Sequence, residues 1–312
     1  LLLCYRSKGR SLPTQIIYST TLHIIYTQNT IEMKIRCGGV PEHFNYPWHV
    51  AMEQGYFKEE DIELEWTDYK GGTGAMCQDL TSDIIDVATL LTEGAIAAIA
   101  QGNPSVIDRV YVASPLIWGI HTGAQSVHTN PNTSGPIRYA VSRMGSGSHL
   151  MALVDRMQRG LDLNDASWEL IQNLDGARIS LQKNESDYFL WEKNMTAPYV
   201  YLGELRRIGE CPTPWPSVVI TISNSARSRI GNFDGMYRAL EKAIQFIQHL
   251  PKPAETIADI YQLKKEDAED WYSRIEWAHS QPLLESHFDT ISEVLVAANI
   301  LNVTPTYDSV CK

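Results

Sequence analysis

The chain has 312 residues, 44% of them hydrophobic and 20% charged, with a formal net charge of -11. That length suffices for two domains of ordinary size, and the composition is that of a soluble globular protein. The acidic balance, with no basic patch interleaved by aromatics, argues against a nucleic-acid partner. No run of eighteen apolar residues is present to span a membrane. The cysteines Cys4, Cys37, Cys77, Cys211 and Cys311 are scattered, without metal-ligand spacing or a disulfide framework, so they read as free thiols.

Residues 1–32 carry Arg6, Lys8 and Arg10 against one acid, Glu32, and have no secretory pattern. They read as an upstream extension outside the fold, which places the protein in the cytoplasm; a different true start would make it periplasmic.

From Met33 the pattern is α/β. A strand MKIRCGG leads to a helix in NYPWHVAMEQG, with Asn45 placed to cap it and Pro47 in its first turn. IELEW is a strand. GGTG then opens a helix, IDVATL is a strand, and LTEGAIAAIAQG is a helix with Thr92 as cap and Glu93 in its first turn. VIDRVYVAS is another strand. Such alternation implies parallel pairing with helices on the sheet faces. A polar break at 126–136 precedes a second unit: strand IRYAVS, helix SGSHLMALVDRMQRG, strand WELIQ, helix DGARISLQ, strand DYFLW and strand LRRIGE. After CPTPWPSVVITIS the chain turns helical and returns to cover the first unit. The order Gly-Ala helix start, aspartate-led strand, acid-led helix occurs in both units and suggests a structural pseudo-repeat.

Ligands of open parallel sheets gather beyond the carboxyl ends of the strands. Those ends carry Gly39 to His43, Gly71 to Gly74, Leu91 to Gly94, Arg143 to His149, Asn173 to Gly176, and Trp191 to Lys193. Free N–H groups at helix starts suit a carboxylate, sulfonate or phosphate. The glycines of GGTG and GSGS would let a small polar ligand touch the backbone, although neither loop matches a nucleotide-binding motif. The candidate ligand-binding residues are therefore His43, Gly72, Thr73, Gly74, Thr92, Glu93, Arg143, Ser146, Gly147, Ser148, His149, Asp175, Trp191 and Glu192. Ser146, Gly147 and Ser148 form an anion clamp in this reading. Glu93 and Glu192 would pair with an amine or a protonated ring nitrogen, and Trp118, Trp191 or Trp215 could stack on a flat ligand. No catalytic cluster, metal site or cofactor is expected.

The segments GGVPEHFNYPWHVAMEQGYFKEEDIELEW, GGTGAMCQDLTSDIIDVATLLTEG and YAVSRMGSGSHLMALV together resemble the type II periplasmic substrate-binding proteins of ABC importers. The likeness is greatest to the nitrate, sulfonate and taurine group and to binding proteins for thiamine pyrimidine precursors; LRRIGECPTPWP looks like a less characterised branch. The resemblance implies a two-lobed α/β fold with the ligand between the lobes. Lobe one would be 33–120 plus 221–312 and lobe two 121–220, with hinges near Val110–Ser114 and Val218–Thr221. It further implies a binding protein for a small anionic or zwitterionic solute, such as a planar nitrogen heterocycle of the thiamine pyrimidine kind. An ABC permease would be its partner if it is exported, and it would be a monomer or weak dimer. The alternative is a cytoplasmic enzyme of thiamine or related cofactor metabolism on the same fold.

Overall fold

The computed structural model describes residues 33–133, 135–278 and 280–312. The reading of residues 1–32 as an extension lies outside the described residues.

The chain runs β1 (Met33–Gly39), α1 (Tyr46–Glu53), β2 (Ile62–Asp68), α2 (Gly72–Thr81), β3 (Val87–Leu91), α3 (Thr92–Ala100) and β4 (Ser105–Val112). It continues with β5 (Ile117–Gly123), β6 (Ile137–Val141), α4 (Gly147–Gln158), β7 (Ala166–Leu170), α5 (Leu174–Gln182), β8 (Tyr188–Glu192), α6 (Lys193–Tyr201) and β9 (Leu205–Pro212). β10 (Val218–Ser223) precedes α7 (Asn224–Ile230), α8 (Asp234–Gln248), α9 (Pro253–Tyr261), α10 (Lys265–Tyr272), α11 (Glu285–Ala297) and α12 (Tyr307–Val310).

Two five-stranded sheets result, ordered β2-β1-β3-β10-β4 and β7-β6-β8-β5-β9. Both are mixed. β2, β1 and β3 run parallel, but β10 inserts antiparallel between β3 and β4, so the fully parallel expectation fails there. In the second sheet β7, β6 and β8 are parallel, while β5 pairs antiparallel with both β8 and β9. The two sheets thus share one plan: three parallel strands with the first in the middle, then an antiparallel strand.

Each sheet is built on the same polar fork. On β1, the Arg36 backbone N–H donates to Asp86 Oδ2 at 2.9 Å, its Nε to the same oxygen at 3.0 Å, and its Nη2 to Oδ1 at 2.7 Å. On β6, Arg138 makes the same three bonds to Asp187 at 2.9, 3.1 and 2.7 Å. Each aspartate sits just before the third parallel strand, so the fork ties the middle strand to the start of its neighbour. Asp86 is also held by Arg229 at 2.6 Å, tying α7 to the same carboxylate. Burial pushes the Asp86 carboxyl up, but the bonds from Arg36 and Arg229 outweigh it and hold it below its ordinary range.

Helices cover the first sheet. α8 buries Met236, Tyr237, Leu240, Ala243, Ile244 and Ile247, the three-and-four spacing of one helical face, and packs on α1. A second core includes Leu90, Trp118, Met151 and Trp215, and so passes continuously from one lobe into the other. The chain crosses between sheets at residues 113–116 and 213–217. The Thr213 N–H donates to the Leu116 carbonyl at 3.0 Å, the Leu116 N–H to Thr213 Oγ1 at 3.0 Å, and Ser217 Oγ to the Ser114 carbonyl at 2.8 Å. Val110, Val112 and Val218–Thr221, read from sequence as hinge, lie instead inside the paired strands β4 and β10.

The two forks differ in burial: the Asp86 side chain is 1% exposed and bound by two arginines, whereas Asp187 is 16% exposed and bound by one that is 47% exposed. Asp86→Ala should therefore cost about 3–5 kcal/mol of unfolding free energy, as for a broken buried pair. Asp187→Ala should cost roughly 1–2 kcal/mol, since solvent screens its partner. Urea denaturation of the two variants checks the order; equal losses would refute it.

Candidate functional site

The carboxyl ends of β1, β3, β6 and β8 and the helices that follow them build the site. A methyl group placed on Gly74, in the first turn of α2, would collide with Arg143 Nη2 of the other lobe. One placed on Gly147, at the start of α4, would sit 2.9 Å from the Trp118 ring and 3.4 Å from Leu91 Cδ1 at the end of β3. These glycines therefore permit the lobes to touch. Thr73 makes its contacts within lobe one: its Oγ1 accepts from the Leu91 N–H at 3.4 Å and its methyl lies under Gly94. Gly72 has φ +66° with no neighbour to clear, so it serves the turn.

Glu93 is 3% exposed. Its Oε2 accepts from Trp215 Nε1 at 3.0 Å, while Oε1 is buried with no partner. Burial pushes its carboxyl up to about 7, against the pull of the Trp215 bond. Glu192 caps α6: Oε2 accepts from the Met195 N–H at 2.7 Å and Oε1 from Asn194 Nδ2 at 3.1 Å. Burial raises it too, to about 7. Directly across the ladder from Glu192 stands Trp118, 5% exposed, whose indole N–H is buried without an acceptor.

Several residues read as ligand donors already bond within the scaffold. Thr92 is the first helical residue rather than the cap, and its hydroxyl donates to the Pro216 carbonyl at 2.5 Å. Ser146 caps α4 by accepting from the His149 N–H at 3.4 Å and lies 3.1 Å from Ser148 Oγ; Ser148 Oγ accepts from the Ser142 N–H at 3.0 Å. The anion clamp is thus a loop whose hydroxyls are engaged with each other and its backbone. The positive φ of that loop belongs to Gly145, not Gly147. His149 Nδ1 accepts from the Gly145 N–H at 3.1 Å, and the ring meets Trp168 edge-on at 4.4 Å. Asn45, placed to cap α1, donates its Nδ2 to the Val40 carbonyl at 2.8 Å and makes no cap bond.

His43 is buried in a 3-10 turn, 4.4 Å from the Trp271 ring, and desolvation drops its pKa to about 3. It is neutral at physiological pH, and its Nε2 is buried with no partner. Trp191 stacks on Phe189 at 5.3 Å in a small cluster beneath α5, with only its edge reaching Trp118 at 6.4 Å. Asp175 is not brought to the cleft: it is exposed and pairs with Arg178 at 2.8 Å, which is bound in turn to Glu204. It lines a surface cavity of about 730 Å³ together with Gly123 and Glu204, and a second cavity of about 460 Å³ lies beside Arg227 and Lys312.

The residue missed from the sequence is Glu42, beyond the end of β1. Burial and the Glu192 charge raise its carboxyl to about 8. Its signal was positional: it stands in the turn that leaves β1, the middle one of the three parallel strands of the first sheet. Among the described residues no group of three or more His, Cys, Asp or Glu could hold a metal.

Residues 118–211 match the model of a family described as Ca3427-like PBP. No curated protein matches the chain. Among solved structures, the Candida albicans CA3427 gene product, described as defining a new family with the generic periplasmic binding protein fold, is 28% identical. The match covers 88% of this chain and 92% of that one, with a TM-score of 0.79. The alkanesulfonate-binding protein SsuA of Xanthomonas axonopodis pv. citri, bound to MOPS, is 15% identical over 89% of this chain and 97% of that one, at a TM-score of 0.72. The periplasmic nitrate-binding protein NrtA of Synechocystis PCC 6803 is 15% identical over 75% and 68%, at 0.57.

The fold is that of a type II periplasmic binding protein. Such a scaffold is consistent with binding a small solute, and no helix of the described residues is long and apolar enough to cross a membrane. The cytoplasmic placement is corrected by these matches, because the relatives whose descriptions state a location are periplasmic. The cytoplasmic setting of the enzyme alternative falls with it.

Glu93 offers a direct test of the site's electrostatics. Its carboxyl titrates near 7 in the fold and at the ordinary 4.5 in the unfolded chain, so the unfolded state loses its proton first as pH rises. Stability is lost between those two values and then levels off, by about 3 kcal/mol in all. Glu93→Gln should lack this loss. Urea melts of both proteins across that range should show the gap between them shifting toward the variant, and a constant gap would refute the assignment.

Proposed function

We propose that the protein is a solute-binding protein that closes its lobes on a small zwitterionic solute, such as a planar nitrogen heterocycle of the thiamine-pyrimidine-precursor kind. The observation that carries this is Glu93: a buried carboxyl just after β3, with one oxygen accepting from Trp215 Nε1 and the other unpartnered. A buried acceptor without a donor is costly, and a protonated nitrogen would relieve that cost. Arg143, exposed at the Gly74 contact, is the natural partner for an anionic end of the same ligand. Of the two charge types expected from sequence, the carboxylates favour the zwitterion over a simple anion. An ABC permease is the partner class that the fold suggests.

Two measurements check the reading. Calorimetry against aminopyrimidines, amino acids, MOPS and simple alkanesulfonates should show binding by compounds with a protonatable nitrogen; binding by sulfonates alone, or by none of the panel, would sink it. Gly147→Leu should weaken the best binder at least about tenfold, because the side chain would crowd Trp118 and Leu91; its melting temperature is measured beside the affinity, since the packed ring must shift to admit it. A folded variant of unchanged affinity would remove this loop from the site.

A further inference from the structure

The two surface cavities differ in charge, and the difference singles out the smaller one. The larger, beside α5, holds Arg178, whose guanidinium is already met by Asp175 at 2.8 Å and Glu204 at 2.6 Å, and both acids line that cavity. The smaller, of about 460 Å³, is lined by Asn224, Arg227, Ser228, Gly231, Phe233 and Lys312. Its lining has basic side chains and no acidic one, in a chain that carries 37 acids against 26 bases. Asn224, Arg227, Ser228 and Gly231 follow the three-and-four spacing of one helical face, so the cavity runs along α7. Gly231 ends the helix with φ +77°, and nothing lies within 4 Å of where a methyl group on it would stand.

Arg227 is half-buried, and among the described residues its guanidinium has no hydrogen-bond or ion-pair partner. In this chain that is exceptional. Arg143, at the contact between the lobes, is likewise unpaired, but every other described arginine has an acceptor or an acid within reach. Lys312 is only partly neutralised. Its Nζ lies 3.3 Å from Asp108 Oδ1, and the same carboxylate accepts from the Tyr237 hydroxyl at 2.5 Å and faces Arg109 at 3.5 Å. The Lys312 N–H donates to the Ile107 carbonyl at 3.0 Å, which fixes the backbone that carries the ammonium. A guanidinium partly withdrawn from water without an acceptor is costly, and its planar fork is matched by an oxyanion.

We infer that this cavity binds a small oxyanion of the phosphate class, as the free ion or as a monoester. The Arg227 fork takes two oxygens and the Lys312 ammonium a third. A tetrahedral anion meets both cations through different oxygens, which the flat carboxylate of acetate does less well. The volume falls within the range of small-molecule sites, roughly 300–1,000 Å³, so the ion enters with room for a small organic group. The site is separate from the interlobe cleft. β10 runs antiparallel to β3 with Ile222 beside Val87, the first residue of β3. α7 therefore begins at the opposite end of the sheet from Glu93, and the inference does not rest on the solute-binding reading.

Thermal melts and calorimetry of the whole chain with inorganic phosphate, at an ionic strength held constant with chloride, test this. Phosphate should raise the melting temperature of the wild type saturably, as a ligand of the native state does, and acetate should do so far less. Arg227→Gln should weaken phosphate at least about tenfold, and Lys312→Gln should weaken it by a smaller factor. Arg143→Gln removes the unpaired cation of the cleft and should leave the phosphate response in place. Glycerol 3-phosphate separates the two sources of the same group: binding at least as tight as that of phosphate assigns the cavity to a monoester, and binding of phosphate alone assigns it to the free ion. A basic residue in the last turn of α7 also favours the helix end. If that is the whole role of Arg227, Arg227→Gln shifts the melting temperature equally at every phosphate concentration. That result, a loss of response confined to Arg143→Gln, or a wild type that responds no more to phosphate than to acetate overturns the site.

Discussion

The arginine–aspartate fork fixes where everything else in the molecule can be. Arg36 with Asp86, and Arg138 with Asp187, make the same three bonds from the same backbone and side-chain atoms. Each locks the amino end of the third parallel strand against the middle strand, and in both sheets the third strand then runs two residues past the end of the middle one. At those ends the chain turns into a helix with nearly the same backbone in each lobe: φ −57°, ψ 134° at Leu91 and φ −54°, ψ 131° at Glu192. A planar, bidentate pair with an added backbone N–H resists the one-residue slip that would turn every side chain to the wrong face. The pseudo-repeat suggested by the two aspartate-led strands is thus a repeat of mechanism as well as of pattern.

From that equivalence comes a difference that matters for chemistry. The position that ends the third strand is apolar Leu91 in one lobe and the capping acid Glu192 in the other. The next helical turn carries Glu93 in lobe one and Asn194 in lobe two. One scaffold therefore presents acids at unequal depths: Glu192 is satisfied by its own helix, Glu93 is half satisfied by Trp215, and Glu42 has no bonding partner among the described residues. The ordering ranks how strongly each would gain from a ligand, since a carboxylate with its bonds already made has least to gain.

Much of the fold was legible because its elements are periodic and punctuated. MKIRCGG, IELEW, IRYAVS and LRRIGE became strands, and the long amphipathic run of α8 could hardly be anything but a helix on a sheet. What escaped notice had its pattern broken from within. β5, IWGIHTG, carries two glycines and a buried histidine, and α6 contains Pro198. β10 was visible as an extended run, but its antiparallel insertion between β3 and β4 depends on pairings far apart in the chain. At the site, sequence position located the strand ends and their acids, but not which hydroxyls were free. Ser146, Ser148 and Thr92 bond to groups that only the folded loop brings near. Glu42 entered the sequence reading only within Gly39 to His43, because the burial and the Glu192 charge that raise its carboxyl come from the fold.

The relatives share the scaffold far more closely than they share sequence, and this separation explains why a ligand should not be carried from one to another. At 15% identity the backbone plan survives, because it rests on a few forks, caps and buried faces that many sequences satisfy. The strand ends are under no such restraint: any side chain that fits the turn is compatible with the fold. Burial raises the carboxyls of Glu93 and Glu192, at two of these ends, to about 7, so neither is fully charged at neutral pH. The charge accepted by its neighbours in fold is therefore no guide to the charge this cleft accepts.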